Sequence, residues 1–417
     1  MRTLPWDASP HLPWKVFTSP AEQWAAQPTF LIGEYVIIGC AVLALVHALR
    51  SGRANWFIWA AALIAGTAND LIFIALPLVD NFWQAQASIM LTPRLPLYIP
   101  CVYVLFMYWP TVGIRRLGLG RWSASALTGL VACLFYAPYD IVGAKFLWWT
   151  WHDTDPAIAE RFFGAPLSSS LWVLTFTGSF ALAIDLVVRD RNVTRTRFFT
   201  GLALAACLIT PTMMAQMFTL QLTDGGTPGY AAFGVGVAIY GIVALAQRSR
   251  SGPGKLGVDW LGRVAAVYFL MLAFNMTFFA PQSHVSVGIH QLPGPCGVEE
   301  SDITGGTREK YLCVSDYDED YSFDCATPPA HGAEWYTVCG REHSNHPAYA
   351  AVVGSLALTG IVVFTVLFGA WGRGSEPQSA PERTGHRRVQ SATARPSVPG
   401  HSRGVTPACA PPRSASG

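Results

Sequence analysis

The sequence predicts an all-α protein: a polytopic transmembrane helix bundle of about nine spans, N-terminus outside and C-terminus inside, with a disulfide-bearing outer loop. Three observations predict it. Apolar residues make up 51% of the chain and charged ones 13%, about half the charged share usual in soluble domains. The charges fall between long apolar runs, and a run of about 20 such residues matches a hydrocarbon core about 30 Å thick. Arginine, finally, returns in every second link.

Taken in order, the apolar runs place spans at 30–49, 56–79, 95–114, 122–146, 167–188, 198–219, 228–247, 258–280 and 348–371. They divide the chain into an exoplasmic N-terminal segment (1–29), an eight-span core (30–280), a cysteine-bearing exoplasmic loop (281–347), a ninth span and a tail (372–417). The opening "MRTLPWDASPHLPWKVF" carries prolines and an acid but no apolar h-region, so it does not read as a signal peptide. The tail is rich in Ser, Pro, Gly and Arg and is expected to be disordered and cytoplasmic, because it has too little to bury. Arg387, Arg388 and Ser391 there form a basic patch beside a hydroxyl, suited to weak attraction to anionic lipid and release by phosphorylation.

Orientation follows from the arginines. One set of links carries Arg50 and Arg53; Arg115, Arg116 and Arg121; Arg189, Arg191, Arg195 and Arg197; then Arg248, Arg250, Lys255 and Arg263. The intervening short links hold little beyond Arg94, Lys145 and Arg161. A positive-inside alternation without a break requires nine spans; eight or ten would put one set on the wrong side.

Cysteine usage points the same way. Cys296, Cys313, Cys325 and Cys339 share the long outer loop, whereas Cys40, Cys101, Cys133 and Cys207 are scattered in apolar runs. Four thiols in one exoplasmic segment predict two disulfides, with three pairings open; proximity along the chain favours Cys313–Cys325 nested within Cys296–Cys339. The loop then faces a lumen or the exterior, at the plasma membrane or an endomembrane. Its stretch "SDYDEDYSFD" alternates acids as calcium loops do but lacks the sixth-position glycine and twelfth-position glutamate. "HSNH" reads as solvated surface histidines, so neither a metal nor a cofactor is expected. A net charge of +2 with no basic, aromatic-interleaved surface gives no sign of nucleic-acid binding. The expected partners are membrane lipids and a hydrophobic small molecule; the sequence sets no oligomeric state.

Polar side chains inside spans are costly and call for a reason. On the predicted topology Glu34, Asn69, Asp70, Asp140, Lys145, Gln216 and Asn275 fall toward the outer leaflet. Asp185 alone lies near the inner end, where it can snorkel toward Arg189. Interhelical hydrogen bonds of this kind also act as structural glue, worth about 1 kcal/mol each. Glue has no reason to prefer one leaflet, so the set marks a candidate cavity. The run "KFLWWTWHDTDP" ends the fourth span with Trp148, Trp149, Trp151 and His152. Tryptophan belts mark membrane interfaces, but three indoles in four residues exceed what anchoring needs. They also suit a flat, hydrophobic or cationic substrate. Asp140 is therefore expected to face the bundle interior near Asp70, with the three tryptophans closing the outer mouth.

Two stretches, "GAKFLWWTWHDTDPAIAERFFGAPLSSSLW" (Gly143 to Trp172) and "TANDLIFIALPLVDNFWQAQASIMLTPRLPLYIP" (Thr67 to Pro100), carry a family likeness. They resemble carotenoid-biosynthesis membrane proteins, the bacterioruberin-type hydratases and their lycopene-cyclase relatives. In those proteins an acid precedes a G-x-W-x-W-like turn, followed by an aromatic–Gly–(Val/Ala)–Pro element and a tryptophan in the next helix. The likeness covers about the middle third of the chain and extends to uncharacterised eukaryotic multi-pass proteins with a cysteine-bearing outer loop. Here Asn69–Asp70 stands where those proteins more often have glutamate. The resemblance implies acid-catalysed hydration or cyclisation at an isoprenoid double bond. Asp70 and Asp140, then Glu34, would be the proton donors, and Trp148, Trp149 and Trp151 the lining. Burial favours the protonated carboxyl such chemistry needs.

Other classes compete. A transporter would use a similar polar site, though no repeat or paired broken helices are visible. A retinal protein needs a lysine deep in a span, and Lys15, Lys145, Lys255 and Lys310 are not; a bis-histidine haem protein needs paired span histidines, and His47 stands alone. A receptor that binds partners through the disulfide loop stays open.

Overall fold

The structure, a computed structural model, describes residues 14–76, 79–188, 193–246, 258–317 and 319–369. A short helix α1 (Pro20–Ala26) begins at Ser19, whose side chain accepts the Glu22 amide. It leads into α2 (Pro28–Arg50), α3 (Arg53–Ala75), α4 (Tyr98–Arg115), α5 (Arg121–Lys145), α6 (Leu167–Val188), α7 (Arg195–Leu220), α8 (Tyr230–Ala246), α9 (Leu261–Phe278) and α10 (His346–Phe368). Helices α2 to α10 fall on the nine expected segments to within a few residues. Seven of them are long and apolar enough to cross a membrane: α2, α3, α5, α6, α7, α9 and α10. They suggest an integral membrane protein.

The other two differ for separate reasons. Helix α8 has 17 residues. Helix α4 is 18 residues long and buries 16 of them, so it runs through the middle of the bundle. With no face left for lipid it carries Tyr98, Tyr103, Tyr108 and Trp109 in place of a uniform aliphatic surface. By contrast Ile239, Ile242 and Leu245 on α8, and Val362 and Val366 on α10, are exposed apolar side chains. Such a surface costs nothing against hydrocarbon, which is as apolar as a core. Small residues let the helices approach closely. A Cβ on Gly129 would lie 2.5 Å from the Leu174 carbonyl, and one on Gly178 would lie 2.6 Å from the Tyr240 ring.

The arginine-bearing helix ends gather at one end of the bundle. Arg116 at the end of α4 donates to Asp259, just before α9, at 2.9 Å. Arg121, opening α5, donates to Asp185 of α6 at 2.8 Å. The Asp259 amide reaches the Phe368 carbonyl that closes α10. Asp185 thus pairs with Arg121, and with Arg115 at 3.9 Å, because two helix ends already bring those guanidiniums to it. The expected partner Arg189 lies outside the described residues, as do all the expectations for the tail.

The protein is mostly helical, as expected, but at the opposite end it adds short strands that an all-α fold does not include. Eleven short strands occur among the described residues, too brief to leave a readable alternation in sequence. Strand β1 (Phe82–Gln84) pairs antiparallel with β4 (Trp149–Trp151), β2 (Met90–Thr92) with β3 (Leu95–Pro96), and β5 (Arg161–Phe162) with β6 (Ala165–Pro166). The cysteine-bearing link folds too. Strands β7 (Val285–Ile289), β10 (Tyr321–Ser322) and β11 (Trp335–Gly340) form a sheet in the order β10–β11–β7, and β8 (Glu299–Ser301) with β9 (Thr307–Glu309) makes a separate hairpin. Leu312, Tyr321, Phe323, Tyr336 and Val338 give this link, the outer domain of the expected topology, its own small core.

Two disulfides form, as the cysteine count implies, but in sequence order: Cys296–Cys313 and Cys325–Cys339. The nested pairing is overturned by strand register. Cys339 on β11 sits opposite Ser322 on β10, three residues from Cys325, while Cys296 and Cys313 flank the β8–β9 hairpin.

Candidate functional site

The site starts from the turn after α5. Leu147 adopts φ 56°, a left-handed conformation that costs a branched residue about 1 kcal/mol or more. Its side chain is buried in the core of the outer domain, which offsets that cost. The Gln27 amide holds the turn by donating to the Leu147 carbonyl at 2.6 Å. The chain then reverses into β4, so Trp149 and Trp151 lie on a strand and not on a helix end. Side chains alternate along a strand. Trp149 and Trp151 therefore share one face with their register partners Gln84 and Phe82, and all four line a cavity. Thr150 faces the other way and meets His290 Nδ1 of the outer domain at 3.0 Å.

Behind this ribbon lies a largely apolar cavity, roofed by Ile303 and Thr304 of the β8–β9 hairpin and walled by α3 to α7. It holds about 1100 Å³ of empty space, its open mouth included. Tyr103, Phe106, Tyr136, Tyr139 and Trp172 form an aromatic side, and Met213, Met214 and Met217 of α7 form an adaptable thioether side. Helix α3 supplies the acid. Tyr103 lies so close to Gly66 that a Cβ there would fall 2.1 Å from its ring. That approach brings the Tyr103 hydroxyl to Asp70 Oδ1 and to the Asn69 amide, each at 3.2 Å. Thr210 of α7 donates to Asn69 Oδ1 at 3.0 Å. Among the described residues Asp70 Oδ2 has no hydrogen-bond partner, nor do the buried indole nitrogens of Trp149 and Trp151. Such groups are rare in a packed interior and ask for an explanation.

Of the residues expected at the cavity, Asn69, Asp70, Trp149 and Trp151 line it; the others do not. Asp140 is fully buried but sits behind the lining, on the same helix as Tyr136 and Tyr139. Ser169 is its polar neighbour, yet neither carboxyl oxygen has a hydrogen bond of normal geometry. Glu34 is committed elsewhere, its two oxygens accepting the Ser88 and Ile89 amides at 2.9 and 3.1 Å. Trp148 packs into the core on Gly33 and stacks on Phe30, its indole donating to Thr29. Lys145 reaches past the bundle to Asp320 at 2.8 Å. His152 is buried against Gln291 and Asp153 of the outer seam. Gln216 ties α7 to Ser179 and Tyr240, and Asn275 ties α9 to the Thr29 carbonyl. These four are structural contacts between elements.

Sequence reasoning missed Tyr103, Tyr136, Tyr139 and Trp172, and the methionines of α7. The Met213–Met214–Met217 spacing, which puts three thioethers on one helical face, was a usable signal. Burial, the main cause, holds the His284 and His290 rings down at about 4 and about 3. No curated protein matches this chain, and no solved structure does. A family model described as a domain of unknown function, DUF7802, matches residues 14–370, and the chain belongs to that family.

Proposed function

We propose that the chain is a nine-span membrane protein, N-terminus outside and C-terminus inside, that acts on an isoprenoid or a similarly apolar lipid by acid-catalysed hydration or cyclisation. The gathering of arginine-bearing helix ends at one end of the bundle supports the topology. One observation carries the chemistry: Asp70, in the wall of an aromatic cavity, has a carboxyl oxygen with no hydrogen-bond partner among the described residues. In its acid form Asp70 gives a proton to one alkene carbon, using the π pair to make the C–H bond. The other carbon becomes cationic, and the faces of Tyr136, Trp149 and Trp151 stabilise it. Water, or a second alkene of the same molecule, then adds to the cation, and a proton returns to the carboxylate. General acid catalysis of this kind contributes about 10²- to 10⁴-fold. The remote resemblance to carotenoid hydratases and cyclases gives the same reading by analogy.

A second reading, a receptor or transporter using the same cavity, is favoured by one feature: Ile303 and Thr304 of the disulfide-bearing domain reach the cavity. Lipid mass spectrometry of cells with and without the protein, and with Asp70→Asn, separates the readings. The enzyme predicts an isoprenoid or sterol that changes with the wild type and not with the variant. An unchanged lipidome refutes it; a partner captured on the outer domain then favours the receptor, and solute uptake driven by a proton or sodium gradient the transporter.

A further inference from the structure

The β8–β9 hairpin differs from everything around it in what holds it. Its base is closed by Cys296–Cys313. Its tip is stiffened by Asp302, whose carboxylate accepts the Thr304 amide at 2.9 Å and the Gly306 amide at 2.8 Å, with Gly305 at φ 82° completing the turn. Yet among the described residues no side chain from 297 to 311 joins an apolar cluster of the bundle or of the outer domain. The hairpin is a stiff unit without a core contact of its own. Units that bury little apolar surface sit at the low end of a protein's local stability.

What holds it over the cavity is polar. Arg308 donates to Asp155 Oδ2 at 2.8 Å and to the Asp80 carbonyl at 3.2 Å. Asp155 precedes Ala157 and Ile158, and Asp80 precedes Asn81 and Phe82, all four of which line the cavity. One guanidinium thus spans both segments that rim the mouth. The Glu309 amide adds a bond to Thr154 at 2.9 Å, and Gly306 rests on the Pro156 ring. Ile303 and Thr304, at the tip, are the hairpin residues inside the cavity lining.

We infer that residues 297–311 form a flap over the outer mouth, swinging as one piece on the Cys296–Cys313 base, and that Arg308 on Asp155 is its latch. Molecules from the aqueous side then reach the cavity only when the latch releases. The inference rests on the cavity being a small-molecule site and not on any reaction there.

The test reads access directly. Met217→Cys places a thiol on the cavity wall, and a membrane-impermeant maleimide labels it in the full-length protein, with the modified peptide quantified by mass spectrometry so that native cysteines are read separately. Arg308→Ala should speed labelling by about tenfold or more, the shift expected when one latch is removed from a two-state flap. Arg308→Lys should fall between it and the parent. A staple, Pro156→Cys with Gly306→Cys, joins positions already in contact and should slow labelling by a similar factor; it removes no ion pair, so it stands even if Arg308→Ala fails to fold. Equal labelling rates in the stapled and unstapled proteins would overturn the flap. Because the readout needs no substrate, its failure leaves the chemical reading of Asp70 untouched, and loss of that reading leaves the flap intact.

Discussion

The two ends of the bundle treat buried polar groups in opposite ways. At the arginine-rich end, His47 shares hydrogen bonds with Tyr108 at 2.7 Å and with Asp259 at 3.0 Å, and Asp259 also accepts from Arg116 and from the Leu261 amide. Burial alone would push the Asp259 carboxyl up. The His47 bond, the Leu261 amide and the Arg116 guanidinium outweigh it and hold the group below the usual range. Four helices are tied there with their charges matched. At the cavity end Asp70 Oδ2 and the indole nitrogens of Trp149 and Trp151 are buried with no hydrogen-bond partner among the described residues. A matched cluster stabilises a fold; unmatched groups in a cavity wall cost stability, and a ligand that meets them supplies a reason for their presence.

The comparison breaks most readily at its two acids. Asp70→Asn keeps size and removes the proton, so turnover of the lipid product should fall at least about 100-fold while yield and Tm hold. Asp259→Ala should do the reverse, costing about 3 kcal/mol by stranding His47 and Arg116, with turnover per folded molecule unchanged. If both variants lose stability alike, the two ends do the same job and the contrast is void.

Acid sharpens it next. His284 and His290 are held neutral in the folded protein at about 4 and about 3, against an ordinary 6.5. Below pH 6.5 the unfolded chain takes up protons that the folded seam refuses, so stability is fully present above that pH and drops as pH falls toward 4. At pH 5 the loss is about 2 kcal/mol for each histidine. A Tm series from pH 7.5 to 5 should show it, and His290→Gln should flatten the slope by about half. An acid response unchanged in that variant places the titrating group elsewhere.

The neighbouring indoles give the finest contrast. Trp148→Phe should lower stability by about 2 kcal/mol, since it opens space on Gly33 and loses the Thr29 bond. Trp149→Phe also opens space, on Gly143, but loses no hydrogen bond, so it should cost about 1 kcal/mol of stability and weaken retention of an apolar ligand about fivefold, close to 1 kcal/mol. Matching effects would dissolve the distinction between core and cavity tryptophans.

How far the sequence was legible follows from the same physics. Nine helical segments were readable because long apolar runs separated by arginine leave a strong periodic mark. The strands were not, since two to six residues are too few to alternate visibly. Depth could be counted along a span, which brought Asn69 and Asp70 to the cavity, but rotation about the helix axis could not. That is why Glu34, Gln216 and Asn275 share the depth of the site and turn to other partners. Lys145 was unassignable for a further reason: its partner Asp320 is 175 residues away in sequence. Two of the three indoles line the cavity because Trp149 and Trp151 alternate with Thr150 along β4, a fact hidden until β1 fixes the strand.

The central claim, that the unmatched end is a binding site for an apolar molecule, is tested most directly by photo-crosslinking. A photoactivatable isoprenoid alcohol is added to the full-length protein in lipid, and the adducts are mapped by peptide mass spectrometry. The account predicts attachment at Met213, Met217, Phe73 or Trp149, competed away by unlabelled alcohol. Adducts confined to the exposed apolar faces, at Ile239 and Ile242 of α8 or Val362 and Val366 of α10, would contradict it.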